Sequence, residues 1–423
     1  MSSRQRTYHD PLHGAIQLDR AIPAEAMAID LIDTAPFQRL RRIRQLGPAY
    51  LTFHGAESSR FTHSLGVLHL ARLALRHLER SHPQLAKHRV IVYAAALLHD
   101  VGHGPLSHSG EEMFGLSHES WSARLIRTDP ALRERLDAEG IGTADTVAGW
   151  LERGGGGKPG LQALVSSQLD CDRLDYLVRD SHSTGTTYGQ LDLDRLLAGL
   201  ILAPDGSLAI HPRALLAVEH YLVVRQLMYR SVYNHRLNVV CNWLLKQAIE
   251  VARRLGPHQV WADGPMAEWL WRPKDLSHTG FLANDDVRTL YHLIRWREDG
   301  PQDLRDPCER LLERRLLGAL DVRHLSATER LELLAHAQRE AQQAGLNPEG
   351  CCALQQGQTR GYDPYRSGLR LWDGERLEAL EARSRLVQSL TIQEPWAWLL
   401  HPKEVEAELQ ARLAKFRFSG PTD

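Results

Sequence analysis

The sequence predicts a mainly α-helical protein with small β hairpins and a mostly helical C-terminal α+β subdomain. Three observations point there. Apolar residues return at helical spacing over most of the chain, an Asp-Gly turn joins two alternating apolar runs between Gly199 and Pro212, and no apolar stretch approaches the roughly 18 residues of a membrane span. With 423 residues, 43% of them hydrophobic, the chain is long enough for a large core. We expect a catalytic core over residues 1–250 and a C-terminal subdomain over 251–423. A formal charge of -1 lacks the footprint of a nucleic-acid or anionic-membrane binder. The N-terminus MSSRQRTYHD has no signal-peptide core, and five cysteines without paired spacing point to a reducing cytoplasm.

Taken in order, Tyr8 to Leu18 has the Pro and Gly of a turn followed by alternating apolar residues, which predicts a short strand or hairpin. Ala26 to Leu46 reads as a helix whose basic run RLRRIR forms a solvated face. Ser58 to Leu75 reads as a helix entered through Ser58 or Ser59, with Arg60 placed for a phosphate oxygen and His63 one turn inside.

Ala94 to His108, AAALLHDVGHGPLSH, is the most informative stretch. An apolar run of good helix formers ends in adjacent His99 and Asp100, with His103 a turn beyond. An ionised Asp after a buried run needs a partner, and imidazole with carboxylate suits Fe, Mn, Zn or Ni better than a calcium cage. Residues on one helix cannot fill a coordination sphere, so His63 on a second helix is the third ligand. Gly102, Gly104 and Pro105 break the helix and put His103 and His108 on a turn and a new segment. Glu111, three residues past His108, has the spacing to orient that imidazole. Ser117 to Ile126 reads as a helix in which capping explains Ser117 and Glu119 but leaves His118 without a structural task.

The glycine run 154–157, followed by Lys-Pro, predicts a mobile loop or lid. Ser166 to Asp180 reads as a helix with a charged face in which Arg173 and Arg179 partner Asp170, Asp172, Asp175 and Asp180, one of these carboxylates being a candidate fourth metal ligand. Ala214 to Ala252 reads as one long helix carrying Arg225, Tyr229, Arg230, Tyr233, His235 and Arg236. Beyond it come helical patterns at Asn284 to Trp296, Cys308 to Leu320 and Ala327 to Ala344, and a strand pair near Gly368 to Gly374.

Five motifs between about Arg6 and Arg236, DPLHG (10–14), IDTAPFQRLRRIRQLG (32–47), RFTHSLGV (60–67), LLHDVGHGPLSH (97–108) and DCDRLDYLVRD (170–180), together resemble the HD-domain phosphohydrolases, and within them the deoxynucleoside triphosphate triphosphohydrolases. The resemblance implies an HD-domain helical core with a divalent metal, Mn, Fe or Zn with Mg in addition, held by His63, His99, Asp100 and Asp172. It makes His103, His108 and His118 phosphate-facing, with His108 the acid and Glu111 its partner where the animal members have Asp. It gives Gln45 and Leu46 to the sugar, Arg60, Arg173 and Arg225 to the triphosphate, and Tyr176 and Asp180 to the 3′-hydroxyl. Tyr233 would lie under C2′; Arg173 replaces a lysine and Tyr229 a histidine.

The implied reaction converts a dNTP to deoxynucleoside and tripolyphosphate. The resemblance further gives Arg6, Asp33, Gln38 and Arg41 to a GTP or dGTP activator, with Arg195, Arg213 and Arg236 partly matching a second nucleotide site, in a homodimer or homotetramer. Two other readings stand beside it: an HD phosphatase or phosphodiesterase acting on another small nucleotide, and a nucleotide-sensing non-enzyme.

Overall fold

Asp10 accepts hydrogen bonds from the backbone of Leu12 and His13, at 2.9 and 3.0 Å, and so closes the turn between antiparallel strands Gln5–Asp10 and Gly14–Asp19. The expected N-terminal hairpin is thus present. The computed structural model describes residues 4–152, 159–364 and 368–418; the glycine run expected as a lid lies outside them. The protein is mainly helical with small sheets, and it packs as two compact units. The first comprises Met1–Met228, Gly264–Thr289 and Gly361–Ile392, and the second Tyr229–Asp263, Leu290–Arg360 and Gln393–Asp423.

In the first unit, helix Arg60–Ser81 packs against Arg89–Leu98 and Cys171–Thr184. Ser59 caps the first of these by accepting from the Thr62 amide, which places His63 in its first turn. Ala94 through Leu98 are fully buried, so the second half of this short helix is apolar on every side, as a central core segment is. The region expected as one helix from Ala26 to Leu46 is broken into Pro23–Ile32, Ala35–Arg39 and a 3-10 turn Leu40–Arg42. Pro36 cannot donate to a continuing helix but fits the start of a new one. Nor is the basic run all solvated: Arg39 is buried, its guanidinium donating to the carbonyls of His103 and Asn284.

The expected hairpin appears as strands Leu200–Leu202 and Leu208–Ile210, and the expected strand pair as Arg370–Trp372 and Leu377–Ala379. Ile210 pairs with Leu371 in parallel, which joins the two hairpins into a four-stranded sheet.

The expected long helix from Ala214 is interrupted. Leu215–Met228 ends the first stretch of the first unit, and a π-helical turn Tyr229–Tyr233 and helix Arg236–Leu255 begin the second unit. That unit also holds helix Ala327–Gln343, opened by a Ser326/Glu329 capping box, and an antiparallel sheet ordered Gly318–Asp321, Glu394–His401, Ala353–Thr359. The helix expected from Cys308 to Leu320 therefore stops early: Gln302–Leu312 is helical and Gly318–Asp321 is a strand. Among the described residues no helix is long and apolar enough to cross a membrane.

Candidate functional site

Three elements bring their ligand atoms to one point. His63 Nε2 lies 3.0 Å from Asp172 Oδ1 and 3.3 Å from His99 Nε2, and His99 Nε2 lies 3.6 Å from the same carboxylate oxygen. Asp100 closes the group, with Oδ1 3.3 Å from His99 Nε2 and Oδ2 3.6 Å from His63 Nε2. Nitrogen and oxygen ligands about 2.0–2.2 Å from one ion are separated by about 3–3.5 Å, so His63, His99 and Asp172 fit a single divalent transition metal, with Asp100 beside them. Each imidazole is also locked from behind. His99 Nδ1 donates to the Ala96 carbonyl at 2.9 Å and His63 Nδ1 to Asp175 Oδ2 at 2.8 Å, which leaves Nε2 of both facing the cluster.

The support behind His63 was not legible as function. Asp175 is fully buried and also accepts from His13 at 2.6 Å and from Arg179 at 2.7 and 3.0 Å, while Arg179 reaches Asp10 at 3.0 Å. Asp175 and Arg179 are therefore an internal strut, not the solvated charged face expected of this helix. Gly66 makes the close approach feasible, since a Cβ there would stand 1.9 Å from Asp175 Oδ1. Burial opposes a charged His63, yet hydrogen bonds to Asp172 and Asp175 and the charges of Asp175 and Asp100 push its pKa up to about 10. The same negative field favours a bound cation.

Beside this cluster stands a second one. Glu111 Oε2 accepts from His108 Nδ1 at 2.6 Å, while Oε1 accepts from both Nδ1 and the backbone amide of His118, at 2.7 and 2.6 Å. His103 is fully buried and stacks on His118 with ring centroids 4.0 Å apart. Burial and the Arg60 charge hold His103 well below its usual pKa, so it stays neutral. Burial would raise the Glu111 carboxyl, but its bonds to His108 and His118 hold it well below the usual range. The donor set of His103, His108, Glu111 and His118 is itself close enough to hold an ion.

The turn between the clusters is pinned from three sides: Arg60 Nε donates to Ser107 Oγ at 2.9 Å, Ser107 Oγ donates to the Arg44 carbonyl at 2.5 Å, and the Leu106 amide donates to Asp286 Oδ1 at 2.7 Å. These bonds hold Leu106 and Ser107 at φ of 61° and 57°, a region side-chain-bearing residues rarely occupy.

Residues 60–179 match the HD domain, and residues 191–260 match the HD associated region. Across 400 residues the chain is 31% identical to the uncharacterized protein YwfO of Bacillus subtilis, covering 92% of this chain and 90% of that one. The chain belongs to the HD-domain phosphohydrolase family. Chicken deoxynucleoside triphosphate triphosphohydrolase SAMHD1 is 28% identical over 285 residues, which are 58% of this chain and 45% of that protein. A phosphohydrolase from Bacteroides thetaiotaomicron superposes with a TM-score of 0.81 at 26% identity, covering 94% of this chain and all of the other.

The remaining candidate residues of this HD-domain phosphohydrolase fall into several places. Arg60 is buried against Asp100, with NH1 2.6 Å from Oδ2. Gln45 is buried, and its backbone carbonyl faces Arg60. Arg173, Tyr176 and Asp180 ride on the Asp172 helix, where Arg173 pairs with Asp170. Arg173 and Arg225 line one cavity. Tyr229 and Tyr233 belong to the second unit and meet edge to face at 5.0 Å. Arg6 pairs with Asp33 at 2.6 Å, and Arg41 donates to Gln38 at 2.8 Å while its guanidinium covers the Phe61 ring.

Proposed function

We propose that this hydrolase cleaves deoxynucleoside triphosphates to deoxynucleoside and tripolyphosphate. The observation that carries the reading is the placement of three arginines: Arg60 on the candidate ligand Asp100, Arg173 directly after Asp172, and Arg225 on the cavity that Arg173 lines. Three arginines exceed what a monophosphate needs, and a triphosphate uses them all. The relationship to a protein named for this activity supports the same substrate class.

His63, His99, Asp100 and Asp172 would hold a divalent Mn, Fe or Zn ion, with Mg in addition, which would supply Lewis acidity at the α-phosphoryl group and lower the pKa of a water there. The arginines neutralise charge that spreads over the phosphoryl oxygens in a loose transition state. His108, its Nδ1 held by Glu111, donates the proton on Nε2 to the 5′-oxygen as the bond from Pα to that oxygen breaks. Neutral His103 and Glu111-bound His118 face the phosphates. Gln45 and Leu46 hold the sugar, and Tyr176 and Asp180 its 3′-hydroxyl.

The same reading assigns Arg6, Asp33, Gln38 and Arg41 to a GTP or dGTP activator, in a nucleotide-stabilised homodimer or homotetramer. Sedimentation and rate that do not respond to GTP or dGTP count against this activator.

The deciding experiment separates products from each dNTP and NTP with Mn, with and without GTP. Deoxynucleoside plus tripolyphosphate from dNTPs alone supports the reading. Monophosphate or diphosphate products point instead to a phosphatase or phosphodiesterase, and absence of turnover with metal bound points to a nucleotide sensor.

A further inference from the structure

The cavity that Arg173 and Arg225 line has a volume of about 1170 Å³. That is above the roughly 300–1,000 Å³ of pockets that bury drug-sized ligands, and far more than a terminal phosphate requires. It begins beside the site already described, because its walls include Glu119 and Arg173, the residues that follow His118 and Asp172. It ends at the four-stranded sheet, where Arg370 donates to Ser207 Oγ and stands 3.3 Å from Asp205.

The walls are not those of a bare polyphosphate channel. Leu169, Leu200, Ile210 and Leu369 supply apolar surface, and Ser166 and Gln162 supply neutral polar groups. Glu119, Glu152 and Asp363 line it as well, and of these carboxylates Glu152 is clamped by both terminal nitrogens of Arg127 at 2.5 and 2.9 Å. Apolar surface and carboxylates around the two arginines suit a base and sugar, whose amino and hydroxyl groups donate hydrogen bonds, better than more phosphate.

We infer that this cavity is a second nucleoside subsite, which admits substrates whose terminal phosphate is esterified to another nucleoside, that is, dinucleoside polyphosphates with one deoxynucleoside end. The inference rests on the reading above, in which the polyphosphate runs from Arg60 toward Arg173 and Arg225. The chemistry at Pα is unchanged: the water oxygen bonds to Pα, the bond from Pα to the deoxynucleoside 5′-oxygen breaks, and that oxygen takes a proton. With P1-(2′-deoxyadenosin-5′-yl) P3-(adenosin-5′-yl) triphosphate, the products are deoxyadenosine and ATP. Arg370 positions the second nucleoside and takes no part in bond breaking.

The test compares dATP with this mixed compound on the full chain with Mn. The mixed compound is expected to yield deoxyadenosine and ATP with a KM at or below that of dATP. Arg370→Ala and Ser166→Trp should each raise its KM at least ~10-fold, as loss of a charged contact and filling of the cavity do, while leaving dATP within ~2-fold. Cleavage of dATP but not of the mixed compound overturns the subsite, as does a KM that neither variant moves. Should dATP itself not be cleaved, the dNTP reading fails, and calorimetry of the mixed compound on wild type and Arg370→Ala decides the subsite separately: equal affinities, or none, overturn it.

Discussion

Asp175 Oδ2 lies 2.8 Å behind His63 Nδ1, so the orientation of a candidate metal ligand is set by a carboxylate that is itself buried and held by Arg179. Such outer partners fix tautomer and ring angle, and their loss typically costs about 10–100-fold in metal affinity. Asp175→Asn keeps an acceptor for His63 but loses the charge facing Arg179. We expect metal affinity to fall about 10-fold in a chelator competition. Asp175→Ala should also lose about 3–5 kcal/mol of stability, because it leaves Arg179 buried with only Asp10 as counter-charge. Wild-type metal content and unfolding midpoint in both variants would remove Asp175 from this role.

Gly66 controls the same contact from the facing helix. Its missing side chain leaves room for Asp175 and for Arg179, whose NH2 would stand 2.6 Å from an added Cβ. The obstacles are charged groups locked in a network, so they cannot swing aside cheaply. Gly66→Ala should therefore lose about 1–3 kcal/mol through overpacking, and lose metal in parallel because His63 is displaced with Asp175. Differential scanning calorimetry and metal analysis check both, and an unchanged melting temperature with full metal occupancy would defeat the argument.

What the sequence made legible was mostly local. His99, Asp100, His103, His108 and Glu111 lie within thirteen residues of one another, and their helix-breaking glycines and mutual spacing point directly at a site. Asp172 stood among four similar carboxylates, and only resemblance separated it. His13 lies 162 residues from Asp175, a distance no periodicity spans. Arg39 was read as solvated because its neighbours are basic, yet it is buried against two carbonyls. Leu316 and Leu317 continued the apolar spacing of the preceding helix, so the strand Gly318–Asp321 was hidden until Glu394–His401 paired with it. The break at Tyr229–Tyr233 was likewise invisible, since a π-helical turn preserves helical composition.

Glu111 is shared between His108 and His118, one carboxylate oxygen to each side chain. If His108 is the proton donor, removing Glu111 leaves substrate contacts in place but lets the imidazole rotate. Glu111→Ala should lower kcat about 100-fold, the lower end of what a positioned general acid contributes, with little change in KM. Glu111→Asp should recover much of that loss, because a carboxylate remains on the same turn. Equal damage from Ala and Asp, or a loss confined to KM, would argue that Glu111 has another task.

Asp286 offers a prediction in pH. Its carboxylate accepts the Leu106 amide at 2.7 Å and the Arg44 amide at 2.9 Å, yet burial outweighs these bonds and raises its pKa to about 6 from 3.8. A carboxyl with a raised pKa binds its proton more tightly in the folded state than in the unfolded one. Stability therefore falls as pH rises from about 3.8 to about 6, and the ionised form costs about 3 kcal/mol at neutral pH. Asp286→Asn removes the titration but can accept from only one of the two amides, which costs about 1–3 kcal/mol at every pH. The stability of the variant relative to wild type should therefore climb with pH across that window and level off above it. Urea unfolding at pH 4, 5, 6 and 7 reads this directly, and a constant difference would refute it. Because Asp286 pins Leu106 next to Ser107 and His108, the same variant should loosen that turn and lower turnover more than substrate affinity.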